Sequence, residues 1–415
     1  DYAKEQNITI RKNRITAAST QIDVKTAKAA LFPSLSFSTS QQVVNRPYQE
    51  TSSRVSGSEI ISSNSKTSYN GNYGLNASWT LYNGNKRLKT IQQEKLNNQV
   101  AELDVATSEN NIQESIAQVY IQILYAAESV KVNESTLQVS IAQRDRGQEL
   151  LNAGSIAKSD FAQLEAQVST DRYQLVTAQA TLEDYKLQLK QLLELDGENE
   201  MNIYLPALSD ENVLAPLPTK KDVYISALSL RPEIEASKLN VEASELGIGI
   251  AKSSYLPTIS LSAGIGTNHT SGSDFTFGEQ VKNGWNNSIG LSVSVPIFNN
   301  RQTKSAVQKA KLQYETSMLS LLDEQKTLYK TIEGLWLDAN SAQQRYAAAN
   351  EKLKSTQISY KLISEQFNLG MKNTIELLTE KNNLLQAQQE QLQAKYMAIL
   401  NMQLLKFYQG DQLAI

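Results

Sequence analysis

Side chains able to do covalent chemistry are scarce in this chain of 415 residues: it has one histidine, His269, and no cysteine. No thiolate nucleophile, disulfide or cysteine metal site can be built. A single imidazole excludes His-pair and His-triad zinc sites and argues against a Ser-His-Asp triad. What remains is charge. Asp160 stands six residues after Gly154, Glu376 stands six residues after Gly370, and Lys372 lies between that glycine and its acid. Such groups can pair with one another, draw in cations, or cap and solvate a helix end. None forms a nucleophile–base pair, so the composition reads as a non-enzyme with no cofactor and no metal. Lys and Arg total 40 against 43 Asp and Glu, a net charge of −3, which gives no wholesale grip on nucleic acid.

The elements that position these groups follow from the prolines. None lies between Tyr48 and Leu205, and none after Pro296. Proline breaks helices, so both stretches can hold very long ones. Helix-favouring content follows Asn83-Gly84-Asn85 and Asn299-Asn300. The spans Lys86 to Ala153 and Arg301 to Leu369 would each be about 100 Å long if unbroken. The chain also repeats itself. Ala27-Lys28-Ala29-Ala30-Leu31-Phe32-Pro33 returns as Ala251-Lys252-Ser253-Ser254-Tyr255-Leu256-Pro257, and Leu81-Tyr82-Asn83-Gly84 returns as Ile297-Phe298-Asn299-Asn300. Gly154 with Asp160 returns as Gly370 with Glu376. The period exceeds any solenoid repeat and indicates duplication of half the molecule.

Each half carries two stretches with a period of two. Tyr73, Leu75, Ala77, Trp79 and Leu81 alternate with Gly, Asn, Ser and Thr; so do Ile289 to Ile297, Ile259 to Ile265, and Leu35 with Phe37. These are strands with one apolar face and one face of small polar residues, the pattern of a barrel with lipid outside and water inside. An antiparallel sheet packed on a core is the other reading. Asn45 to Asn70 and Thr267 to Asn287 read as exposed loops, the second holding His269 with no assigned role. Tyr73, Trp79, Tyr82, Trp285 and Phe298 sit near strand ends, where interface aromatics would lie. Four strands cannot close a barrel, so two or three chains would have to share one. The longest apolar runs are five residues, too short for a membrane helix. Asp1 reads as the start of a mature or trimmed chain.

At coiled-coil spacing, eighteen positions from Val307 to Phe367 form a seam, all apolar or aromatic except Ser317, Glu324 and Thr356. Two four-residue steps in a row, 324 to 328 to 332, make a stutter. Both long helices end at a glycine suited to a left-handed cap and return through a shorter helix, giving tips at Ala153-Gly154-Ser155 and Leu369-Gly370-Met371. The expected organisation is an N-terminal helix (1–32), strands 1 and 2 with a loop (33–82), a helical hairpin (83–196), a linker (197–222), a helix (223–256), strands 3 and 4 with a loop (257–298), a second hairpin (299–409) and a tail (410–415).

Two tandem copies of strand–loop–strand–long helix–glycine tip–return helix resemble the TolC-like outer-membrane efflux family. Its marks here are Leu31-Phe32-Pro33 with Tyr255-Leu256-Pro257, the two tip glycines, and Arg231-Pro232-Glu233-Ile234 between the repeats. The resemblance implies a mainly α fold with a β-barrel portion, three chains building a twelve-stranded membrane barrel on an α-helical periplasmic tunnel. It implies an outer-membrane exit duct of a Gram-negative bacterium, carrying drugs, small molecules or secreted polypeptides. The implied partners are a homotrimer, a periplasmic adaptor, an inner-membrane transporter and outer-membrane lipid. The tips 153–155 and 369–371 would meet the adaptor. The gate would use Asp160, Phe367, Lys372, Glu376, Thr379 and Glu380, with Lys372 pairing to Asp160. Thr379 stands where the family commonly has an acid, and Glu380 follows it. The rival readings are a soluble trimeric coiled-coil structural protein and an adaptor.

Overall fold

The computed structural model describes residues 2–48, 52–56, 59–63, 66–195, 203, 204, 206, 213–271, 273 and 275–413. Much of the expected 197–222 linker, parts of the 45–70 loop, and residues 414 and 415 of the tail lie outside the described residues. The chain forms two units: Ala17–Val100 with Ser237–Ser320, and Asp1–Thr16 with Ala101–Ala236 and Leu321–Ile415. The elements in chain order are α1 (Tyr2–Gln6), α2 (Ile8–Ala29), β1 (Ser34–Asn45), β2 (Ser52–Ser56), β3 (Glu59–Ser63), β4 (Thr67–Asn83), α3 (Lys86–Asn152), α4 (Lys158–Leu192), α5 (Lys220–Leu230), α6 (Pro232–Ser253), β5 (Thr258–Thr270), α7 (Phe277–Asn283), β6 (Asn286–Ser294), α8 (Gln302–Asn368) and α9 (Thr374–Gln409).

The first unit holds an antiparallel sheet in the order β1-β4-β5-β6, and a separate β2-β3 hairpin. The register matches residue type across all four strands. Leu35 faces Ala77, Ala77 faces Ala263, and Ala263 faces Ile289; one step away, Ser36, Asn76, Gly264 and Ser288 form the neighbouring row. A slip of one residue would mix these rows, so the alternation fixes the pairing. Polar rows are tied by side chains: Ser34 and Ser78 hydroxyls lie 3.0 Å apart, and Asn72 Nδ2 donates to Ser40 Oγ at 3.3 Å. Much of the apolar face has no protein cover. Leu35, Phe37, Ile289, Leu291 and Val293 are all exposed.

Two stretches expected as loops are more ordered than their composition suggests. β1 continues to Asn45, β4 begins at Thr67, and β5 continues to Thr270; β2 and β3 lie inside the first stretch and α7 inside the second. Polar residues pair as readily as apolar ones once a register is set, and no hydropathy signal marks them. β6 stops at Ser294 although its alternation runs to Ile297, because Pro296 has no N–H to continue the ladder.

The second unit contains the helical hairpin tips. α3 and α8 are 67 residues each, about 100 Å of helix, and their return helices α4 and α9 have 35 and 36 residues. Along α8 none of the eighteen expected seam positions is exposed, and those from Leu328 to Ala349 include the most deeply buried. Ile332, Val223, Ala227, Ile234, Leu405 and Tyr408 pack into one apolar cluster, while Ile121, Leu124, Val213, Tyr346, Tyr396 and Leu400 belong to another. The described part of the inter-repeat segment is threaded onto α8: Trp336 Nε1 donates to the Pro218 carbonyl at 3.0 Å, and Gln343 Nε2 to the carbonyls of Val213 and Ala215. Ile332→Ala is expected to destabilise the protein by about 2–5 kcal/mol, against less than about 0.5 kcal/mol for the exposed neighbour change Lys330→Ala. Urea unfolding followed by circular dichroism would show it; equal effects would mean that the seam is not the core.

Candidate functional site

The two tips are built alike. Gly154 and Gly370 have φ of 73° and 74°, a conformation that only glycine adopts without strain. In the first tip the N–H of Gly154 bonds to the Leu151 carbonyl and that of Ser155 to the Leu150 carbonyl; in the second, Gly370 bonds to Phe367 and Met371 to Gln366. These are paired Schellman closures. The return helix then starts four residues after each glycine, at Lys158 and Thr374. Six residues past the glycine is thus the third position of the new helix, where a carboxylate can bond back to the cap residue. The glycine-to-acid spacing therefore has a local structural cause.

The caps differ. Asn373 Oδ1 accepts from the Glu376 N–H at 2.9 Å, and Glu376 Oε2 accepts from the Asn373 N–H at 3.2 Å, a complete capping box. At the first tip the cap residue is Ala157, with no side-chain acceptor, so only the reverse bond from its N–H to Asp160 Oδ2 exists, at 3.4 Å. Within the chain Lys372 pairs with Glu376 one turn along, with Nζ 2.5 Å from Oε1. That hydrogen bond, then the Asn373 N–H, hold the Glu376 carboxyl below its ordinary range. The cap is therefore intact at neutral pH and is lost only as pH falls below the usual glutamate range.

Other expected gate residues are also placed. Phe367 is buried, because its carbonyl and side chain belong to the Schellman turn and the hairpin interior. Thr379 is exposed and bonds its own helix at the Ile375 carbonyl. Glu380 accepts from Ser359 Oγ at 3.0 Å across to α8. Ala153, Gly154, Ser155, Leu369, Gly370 and Met371 are all exposed.

Farther along the hairpins lies a buried charge that the sequence pattern did not single out. Lys381 of α9 pairs with Asp171 of α4, and both contact Ser140 of α3. Gln167 Nε2 donates to the other Asp171 oxygen at 2.8 Å. Lys381 and Asp171 are 3% and 1% exposed, so three helices are pinned through one desolvated pair. Burial is the first cause that lowers the Lys381 pKa; Asp171 opposes it. A sequence signal existed: Lys381 interrupts the buried stripe Leu377–Leu385, and Asp171 ends the stripe Leu164–Val168.

A second buried cation explains the Arg231-Pro232-Glu233-Ile234 motif. Arg231 caps α5 and Pro232 opens α6, where a missing N–H has no cost. The guanidinium bonds Glu233 at 2.7 Å and Glu114 of α3 at 3.2 Å, and lies 4.3 Å from the Tyr408 ring. Burial, and then Glu114, push the Tyr408 hydroxyl up to about 12.

On the sheet, Trp79 and Tyr82 are partly exposed at one end, and Trp79 Nε1 donates to the Leu31 carbonyl at 2.7 Å. Phe298 and Trp285 are well exposed. Tyr73 is covered: His269 stacks on it at 5.8 Å, and Tyr69 and Phe277 close the cluster at 5.3 and 5.1 Å from the imidazole. Gly71 makes room, since a Cβ there would meet the His269 ring at 2.1 Å. His269 is thus a packing residue. Among the described residues no cluster of three or more His, Asp or Glu could hold a metal, and no helix is long and apolar enough to cross a membrane.

The outer membrane efflux protein family model matches residues 1–194 and 223–410. The chain belongs to that family, and it is a protein of the outer membrane. It is 24% identical over 290 residues to the outer membrane efflux protein BepC of Brucella suis, and 23% identical over 311 residues to the outer membrane protein TolC of Escherichia coli; these cover 69% and 73% of this chain. The matched regions span 60% and 62% of those relatives' own length. Crystal structures of CusC superpose with a TM-score of 0.84 at 18% identity, covering 99% of this chain and 91% of that one. The shared fold includes the two-repeat plan of strands and helical hairpins.

Lys381→Met should destabilise the chain by about 3–5 kcal/mol, because it leaves Asp171 charged in a dry interior. Adding Asp171→Leu should return most of that loss. Chemical denaturation of the two variants decides the matter, and a single variant as stable as the parent would show that the pair is not an energetic pin.

Proposed function

We propose that three copies of this chain form an exit duct through the outer membrane, receiving cargo from a periplasmic adaptor and an inner-membrane transporter. The observation that carries this reading is the sheet. Its apolar face is largely uncovered, and its outer strands β1 and β6 each have only one strand partner among the described residues. Unpaired N–H and C=O groups along an edge cannot persist in lipid, and an exposed greasy face cannot persist in water. Pairing β6 of one copy with β1 of the next removes both problems and gives twelve strands, enough for an open lumen. The strands are long enough to span: they have 12, 17, 13 and 9 residues, and about 9–11 tilted residues cross a bilayer. The opposite face is mostly Ser, Asn, Gly and Thr, with Val44 its apolar exception on β1, and it carries no charge, as a non-selective conduit requires.

The long helices continue the duct, and the tips 153–155 and 369–371 are the surface offered to the adaptor. Closure rests on the acid-bearing tips. Three copies of Asp160 and Glu376 around an axis make the mouth negative, and Lys372, attached by one exposed ion pair, can exchange Glu376 for Asp160 of a neighbour at little energetic cost. The soluble-rod and adaptor readings account for the helices but leave the sheet face without a partner.

Purified protein should require detergent, run at three times the chain mass, and give discrete low-conductance events in planar bilayers. Asp160→Ala with Lys372→Ala should raise that conductance severalfold. A monomer stable in plain buffer would reject the duct; a channel indifferent to the double change would reject only the latch.

A further inference from the structure

The ends of the four main strands meet four helix ends within one unit, and the charge there is one-sided. Windows 24–34, 78–90, 247–258 and 294–305 contain eight Lys or Arg and no Asp or Glu, in a chain that is slightly acidic overall. The sheet order brings these windows side by side, and contacts join them: Trp79 reaches the Leu31 carbonyl, and a Cβ on Gly84 would touch the Ser253 carbonyl. Two of the eight have structural roles. Arg87 donates to the carbonyls of Ala30 and Thr80, and Lys89 to that of Gly249.

The remaining six are Lys25, Lys28, Lys86, Lys252, Arg301 and Lys304. All are exposed, and none forms an ion pair among the described residues. Helix stability does not account for the set. Lys25, Lys28 and Lys252 lie near helix C-termini, where the dipole favours cations. Lys86, Arg301 and Lys304 lie at the starts of α3 and α8, where it disfavours them, and neither helix has an acid in its first turn. Beside them stand Phe32, Tyr255, Leu256, Ile297 and Phe298, all exposed. Large apolar side chains next to unpaired flexible cations are what a bilayer surface fits, with rings among the acyl chains and ammonium groups at the phosphates.

We propose that this collar binds anionic phospholipid headgroups of the leaflet next to the helices, and prefers them to zwitterionic ones. The inference rests on the membrane-duct reading above and adds the lipid class and the residues. The one-sided charge is local to these windows, in a chain with 40 Lys and Arg against 43 Asp and Glu.

The experiment reconstitutes the full chain in nanodiscs of equimolar phosphatidylglycerol and phosphatidylcholine, then measures by mass spectrometry the lipid that stays bound after mild detergent extraction. The parent should retain phosphatidylglycerol at least about fivefold over phosphatidylcholine, with the excess falling in high salt. Changing all six residues to Gln should bring the ratio near one. Exchanging the five lysines for Arg, and Arg301→Lys, keeps every charge and should keep the preference. This second variant separates loss of charge from loss of fold. Equal retention of the two lipids by the parent, or an unchanged excess in the Gln variant, overturns the collar. A parent that conducts in bilayers yet shows no lipid preference sinks this inference alone; a parent that enters no bilayer sinks the duct reading and the collar with it.

Discussion

Backbone polar groups must be paired or wet, and apolar surface must be dry. In this chain the four-stranded sheet meets neither condition by itself. β1 and β6 each leave one row of N–H and C=O groups without a strand among the described residues, and the rows through Leu35, Ala77, Ala263 and Ile289 face outward without cover. A sheet of this kind is incomplete as a monomer in water. Family membership and the match to CusC agree with an element made for another environment. The helices satisfy their backbone hydrogen bonds internally, yet they too leave large apolar side chains uncovered in the single chain, among them Ile15 and Ile22 of α2 and Leu312, Leu319 and Leu362 of α8.

The helical unit solves a different problem. Helices of 67 residues run past more than one apolar cluster. Buried charge also ties these helices at two places, Lys381 with Asp171 near the tips and Arg231 with Glu114 and Glu233 beside the cluster of Val223, Ile332 and Leu405. A buried pair contributes little net stability against an apolar replacement, yet tolerates only one alignment of the helices that carry it. The tips themselves need only local chemistry. A left-handed glycine closes one helix and an acid at the third position opens the next, so the same short phrase works twice in the duplicated chain.

The sequence by itself determined the elements whose cause is local or periodic. The absence of proline gave the long helices, the left-handed glycines gave their ends, and strict alternation gave the strand faces, each to within a residue or so at the helix ends. Duplication showed that there are two of each. The interactions decided by tertiary structure are those between residues far apart in the chain. Lys381 finds Asp171 across 210 positions, and Gly71 yields to His269 across nearly as many. Lys372 was readable as a cation near an acid, but either Asp160 or Glu376 would satisfy that description. Within the single chain Lys372 pairs with Glu376, one helical turn away, which is a local contact. Polar strand extensions such as Thr67 to Asn72 were likewise invisible, since their pairing depends on a partner strand.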